Sequence, residues 1–236
     1  MSRHIVEVFE AELERLRSSV VKMGELAASQ IQAALDSVAR GDEDLTARTI
    51  ERDRELDELE RRIGEDALRM LALRQPMAGD LRAIVSAIKI PNDLERIGDL
   101  AKGIAKRAPA LHRGVPNSPN VPSLAAMGQR VLVQLKRVLQ AYQDQDADTA
   151  EEIWRRDEQV DNFFSGLFRE LLTYMMEDPR TIGACTQLMF VAKNLERMCD
   201  HCTHIAEAIH FQVRGERFDG HRPKGADASE ISLPNA

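Results

Sequence analysis

The sequence predicts an all-α protein built as two tandem three-helix bundles of long antiparallel helices, and three observations lead there. The 236 residues are 43% hydrophobic yet hold only seven Phe, two Tyr and one Trp, so the core is aliphatic, which suits packed helices. Proline is absent before Pro76 and again between Pro122 and Pro179, which leaves room for uninterrupted helices of many turns. The third observation is that the second half of the chain repeats the first. The length permits one large or two ordinary domains, either able to bury a core without disulfides or structural metal.

Taken in order, residues 4–40 carry Val20, Met23, Leu26, Ala27, Ile31, Ala34, Leu35 and Val38 at helical spacing, and Gly41 is a plausible stop. Asp42 or Asp44 caps a second helix that runs to about residue 74. A third follows the turn at 76–79, with Asp80 as its candidate N-cap and a kink at Pro91. Residues 109–122 hold four of the nine prolines and read as a linker that cannot continue a helix. Ser123 opens a fourth helix ending near Tyr142, a fifth spans about 146–177, and Asp178-Pro179 is an N-cap followed by proline at N1. The sixth helix reaches Arg214. The domain expectation is therefore 1–108, linker 109–122, 123–215, and a mostly disordered polar tail over 216–236.

The repeat holds one register through the second helix and another beyond it. At an offset of 104, Met23-Gly24 matches Met127-Gly128, Gln30 matches Gln134, Leu35 matches Leu139, and Asp53 and Asp57 match Asp157 and Asp161. Past the second helix the offset is 101, where Leu94-Glu95-Arg96-x-x-Asp99 matches Leu195-Glu196-Arg197-x-x-Asp200.

Identity between the halves concentrates on acids. Asp53/Asp57, Glu95/Asp99, Asp157/Asp161 and Glu196/Asp200 are each i,i+4 pairs, and like charges at that spacing destabilise a helix by roughly 0.2–0.5 kcal/mol. Residues equidistant from the turn of a helical hairpin lie at the same height. Asp53 with Asp99, and Asp57 with Glu95, both centre on position 76; Asp157 with Asp200, and Asp161 with Glu196, both centre on 178.5. Each half thus places four carboxylates in a two-by-two array about 6 Å on a side. A cation resolves the repulsion, and carboxylate oxygens suit Mg, Mn or Fe. His204, one turn after Asp200, would add an imidazole to the second site and favour Fe, Zn or Ni there, whereas Gly103 stands at the equivalent place in the first. The bland alternative is that these acids form a solvated face. Glu196, Asp200 and His204 lie nearly opposite the apolar stripe of Val191, Leu195, Met198, Cys202, Ile205 and Ile209, so the second site is expected to be shallow and open.

Other motifs weigh less. Cys199-Asp-His-Cys202 reads as core packing because no second cysteine pair exists. Glu207-x-x-His210 has di-iron helix spacing, but in a single copy. Arg96 and Arg197 are read chiefly as partners of adjacent acids. A net charge of −7 argues against nucleic acid as the main ligand. The N-terminus has no apolar leader, and the longest uncharged apolar run, residues 83–88, cannot span a bilayer, so a soluble cytosolic protein with reduced thiols is expected.

With Leu-Glu-Arg-x-x-Asp in both halves, Arg74-Gln-Pro-Met-Ala-Gly-Asp-Leu-Arg82 before the first and Met176-Glu-Asp-Pro-Arg-Thr181 before the second, the chain resembles the PhoU family over residues 5–215. The resemblance implies two three-helix repeats with a Glu/Asp-x-x-x-Asp metal signature on Glu95/Asp99 and Glu196/Asp200, faced by Asp53/Asp57 and Asp157/Asp161. The family's usual Gly of Glu-Arg-Ile-Gly-Asp is present as Gly98 but is Cys199 in the second copy. By the same resemblance the chain is expected to be a cytoplasmic, non-enzymatic negative regulator of the phosphate-starvation response that binds divalent or trivalent Fe, Mn, Mg or Zn. Its implied partners are the ATPase subunit of the phosphate ABC transporter and a phosphate-sensing histidine kinase, with a homodimer as the usual state. It would meet the membrane only through those partners. The alternative reading is a ferritin-like carboxylate-bridged oxidase or metal store.

Overall fold

A computed structural model describes residues 2–114, 121–155 and 158–219. Among these the chain forms nine α-helices and no strand: α1 (Ser2–Arg40), α2 (Glu43–Glu51), α3 (Asp53–Arg74), α4 (Ala78–Ala105), α5 (Ala108–Gly114), α6 (Val121–Asp144), α7 (Ala147–Arg155), α8 (Glu158–Glu177) and α9 (Ile182–Arg214). A 3-10 turn, Pro179–Thr181, leads into α9.

Local chemistry fixes the turns. Gly41 is left-handed at φ 67°, and Gln145, its counterpart at the offset of 104, adopts φ 55°. The next residue caps a helix in both halves: Asp42 Oδ1 accepts from Leu45 N at 2.9 Å, and Asp146 Oδ1 from Asp148 N and Thr149 N, both at 3.0 Å. Asp178 Oδ1 accepts from Arg180 N at 3.0 Å, with Pro179 beginning the 3-10 turn.

Four expectations change. The second helix of the first half divides at Arg52, which keeps helical dihedrals while Glu55 N bonds Arg52 O three residues back, a local tightening that separates α2 from α3. Asp80 is in the first turn of α4, not its cap; Met77 holds that position, and the Asp80 charge still faces the positive end of the helix. Residues 109–114 of the expected linker belong to α5. Pro109 falls in its first turn, where a missing N–H costs nothing, while Ala108 and Leu111 are buried and His112 Nε2 lies 2.8 Å from Val38 O. Residues 216–219 of the expected tail are ordered enough for Phe218 to stack on Trp154 at 4.8 Å and meet the His210 ring at 4.0 Å. Residues 115–120 and 220–236 lie outside the described residues. Helix α4 continues through the buried Pro91.

The halves do not stand apart as two bundles with separate cores. Helices α1, α4, α6 and α9 form the centre, with α2 and α3 on one flank and α7 and α8 on the other, and one cluster of buried aliphatic residues runs through all of it. Each fully buried Leu or Ile in it contributes about 1.5–3 kcal/mol. The most extensive packing joins α4 to α9, one helix from each half. Buried Ser86 Oγ donates to Ala208 O there at 3.1 Å. Where α1 crosses α6 the contacts are reciprocal. A Cβ on Gly24 would stand 2.3 Å from Leu139 Cδ2, and one on Gly128 would stand 2.4 Å from Leu35 Cδ1. Gly24 matches Gly128, and Leu35 matches Leu139, so each half supplies the gap that the other fills.

Candidate functional site

The first carboxylate array forms between α3 and α4. Asp53 is buried, and Lys102 Nζ is in direct contact with its Oδ2 and 3.4 Å from Asp99 Oδ1. The hydrogen bond to Asp53 raises the Lys102 pKa. One layer of the array thus carries its own cation. The other layer has only the looser contact of Arg96, whose Nε is 3.5 Å from Glu95 Oε2. Glu95 is half-buried and its carboxyl is pushed up, first by burial and then by the charge of Asp99, with Glu60 and exposed Asp57 adding to it against a smaller pull from Arg96 at 3.5 Å. Glu60, one turn beyond Asp57, is absent from the sequence reading because its counterpart is Phe164 and the repeat gives no sign of it.

In the second array, between α8 and α9, Asp157 lies outside the described residues. Glu196 is pushed up by burial, and Asp200 and Asp161 push it further, while Lys193 at 2.8 Å opposes them. Its side chain is only 13% exposed, so this site is less shallow than the wheel of α9 alone suggests, because α8 packs over it. The lysines sit differently: Lys102 is matched by buried Thr203, and Lys193 by Asn92.

His204 also makes a contact outside this second array. Eight residues separate it from Glu196, roughly 80° round the helix, and its Nδ1 lies 3.4 Å from Asp93 Oδ1 on α4. His201 Nδ1 is 2.9 Å from the same oxygen, and the two imidazoles meet edge to face with ring centroids 5.6 Å apart. Burial raises the Asp93 pKa, but hydrogen bonds from His201 and His204 outweigh it and hold the carboxyl below the usual range. Sequence reasoning missed Asp93 and His201 because the contact joins the two halves, 108 residues apart, where a comparison within each half does not look.

The remaining motifs are accounted for locally. Cys185, Cys199 and Cys202 are buried. Glu207 accepts from Trp154 Nε1 at 3.1 Å, and His210 packs against Phe218, so the pair is engaged by aromatic side chains. Each array offers carboxylate oxygens, one of them on a glutamate whose carboxyl is pushed up by burial and further by nearby acids. That donor chemistry fits a hard cation, whose charge would relieve the repulsion. Among the described residues no helix is long and apolar enough to cross a membrane.

Comparison with known proteins agrees with this architecture. A family model described as the PhoU domain matches residues 20–108 and again 124–209. A phosphate-specific transport system accessory protein PhoU homolog from Caulobacter vibrioides is 49% identical over 224 residues, covering 95% of this chain and 97% of that protein. The phosphate-specific transport system accessory protein PhoU of Escherichia coli K12 is 38% identical over 219 residues, 92% of this chain and 90% of that one. The crystal structure of PhoU from Pseudomonas aeruginosa superposes with a TM-score of 0.84 at 38% identity, covering 88% of this chain and 100% of that chain. The phosphate transport system regulatory protein PhoU from Streptococcus pneumoniae gives 0.83 at 30% identity, covering 89% and 99%.

Proposed function

The chain belongs to the PhoU family, and from that premise we propose that it is an accessory protein of phosphate-specific transport that restrains the phosphate-starvation response. It does so in the cytoplasm, without catalysis, by contact with the ATPase subunit of a phosphate ABC transporter and with a phosphate-sensing histidine kinase, as a homodimer. The observation that carries the reading is the pair of acidic arrays, one per repeat, on facing helices of a chain whose relatives bear that accessory name over nearly their whole length.

Metal binding is part of the proposal. Asp57, Glu95 and Asp99, with Asp53, would hold a cation against α3 and α4, and Asp161, Glu196 and Asp200 one against α8 and α9, where the repeat adds Asp157 as the counterpart of Asp53. Such an ion supplies positive charge that ties the two helices of each hairpin together. Lys102 already does this for Asp53 and Asp99, which leaves the Glu95 layer as the place where added charge counts most. A di-iron reading gains nothing here, since Glu207 and His210 are committed to Trp154 and Phe218.

A deletion strain tests the regulatory reading: alkaline phosphatase becomes constitutive and this chain restores repression, whereas normal repression without it refutes the proposal. For the metal, elemental analysis of the purified protein beside an Asp99→Asn/Asp200→Asn variant is expected to show loss in the variant, and equal content defeats the assignment.

A further inference from the structure

The group formed by Asp93, His201 and His204 belongs to neither array. We propose that these three residues form a separate mononuclear site for a borderline divalent transition metal such as Zn2+ or Co2+, spanning the seam between α4 and α9. This goes beyond the function proposed above and does not depend on it.

Three observations carry it. The first is geometric. The two imidazoles sit at i,i+3 on one face of α9, and one ligand atom from each of the three residues lies within 4.8 Å of the others. With metal–ligand bonds of about 2.0–2.1 Å, adjacent donors stand about 2.9 Å apart in an octahedral sphere and about 3.3 Å apart in a tetrahedral one. The two nitrogen–oxygen separations, 2.9 Å to His201 and 3.4 Å to His204, match those edges. The Asp93 oxygen thus stands at coordination spacing from both imidazoles, whose own nitrogens lie within 4.8 Å of each other.

The second is the donor set. Two imidazoles and one carboxylate select Zn, Co, Ni or Fe over Mg or Ca, which prefer oxygen alone. Asp93 and His204 also line a cleft of about 820 Å3, so the positions opposite the protein ligands face open space that water or a small ligand can fill. Glu207 lines the same cleft but is turned to Trp154.

The third is the internal control that the repeat provides. At the offset of 101, Asp93, His201 and His204 are matched by Asn194, Leu100 and Gly103. That corner has the same place in the fold: Asn194 Nδ2 lies 3.4 Å from Leu100 O, and a Cβ on Gly103 would be 3.0 Å from Asn194 Nδ2. One corner of the seam carries three ligating side chains and its twin carries none. Packing alone does not call for a carboxylate and two imidazoles there, because an amide, a leucine and a glycine fill the equivalent space.

The test is Co2+ titration of the chelator-stripped full chain, read by ligand-field absorption, with Zn2+ competition for stoichiometry. The wild type is expected to take one Co2+ with the bands of imidazole coordination. Asp93→Asn and His204→Gln are each expected to weaken it by more than about 100-fold, beyond what loss of an outer-shell partner costs. The Asp99→Asn/Asp200→Asn variant keeps the bands, which separates this site from the arrays. His204→Gln retains a helix-forming residue, and circular dichroism verifies the fold of each variant. Absence of the bands in the wild type, or their persistence in Asp93→Asn and His204→Gln, overturns the proposal. So does their loss in the array variant alone.

Discussion

The two repeats solve the same packing problem with different residues. In the first, α4 approaches α3 because Gly98 has no side chain: a Cβ there would stand 2.3 Å from Leu56 Cδ1 and 2.9 Å from Gln30 Oε1. In the second, that position is Cys199, 1% exposed, and the residue matching Leu56 is the smaller Val160. Volume has moved from one helix to its neighbour while the seam stays filled, which is how cores tolerate change. The departure from the Gly signature is therefore a packing exchange, in keeping with a core role for the thiol. Charge has been redistributed likewise. Each array has one lysine, but Lys102 serves a buried aspartate and Lys193 reaches a glutamate from a half-exposed position. The acids are the shared part; what surrounds them differs.

Three pairs of substitutions probe this comparison. Gly98→Cys places the second repeat's residue in the first and is expected to cost about 3 kcal/mol, the upper part of the overpacking range, because it meets both Leu56 and Gln30. Adding Leu56→Val should recover most of that loss in thermal unfolding; no recovery would mean that the exchange is not volumetric. Next comes Lys102→Ala, expected to cost about 1–2 kcal/mol. It strands the buried Asp53 carboxylate, and the figure is below that of a fully buried pair because the lysine is 28% exposed. Lys193→Ala should cost less than about 1 kcal/mol, and equal costs in denaturant titrations would erase the distinction between the two arrays. The smallest effect is at the matched left-handed turns. Gln145→Gly relieves a strained φ of 55° and should stabilise by about 0.5 kcal/mol after the entropy of glycine is counted. Gly41→Gln should destabilise, since any Cβ there meets the His112 ring at 2.5 Å.

Much of the fold was legible because it rests on local rules. Periodicity placed the long helices, Gly41, Asp42 and Asp178 marked their ends, and the centring of acids on the two hairpin turns put Asp57 near Glu95 and Asp161 near Glu196 from spacing alone. What escaped was whatever the repeat does not share or what crosses between halves. Lys102 and Glu60 have no counterparts of like charge, so the comparison of halves was blind to them. His204 was attached to Asp200 by spacing along one helix, which gave no sign of its contact with Asp93 on α4, set by the packing of α4 against α9. Helix α5 was hidden by proline, read as a breaker when its place in the first turn makes it harmless.

The reciprocal fit of Gly24 with Leu139 and of Gly128 with Leu35 gives the crossing of α1 and α6 a two-fold character. A half-length chain bearing both the gap and the side chain that fills it is complementary to its own copy, which is the condition for a two-fold homodimer. In such a dimer every substitution appears on both sides of the axis at once. Within one chain each side can vary alone, and a corner holding aspartate and two histidines opposite one of asparagine, leucine and glycine is a difference that a symmetric dimer does not allow.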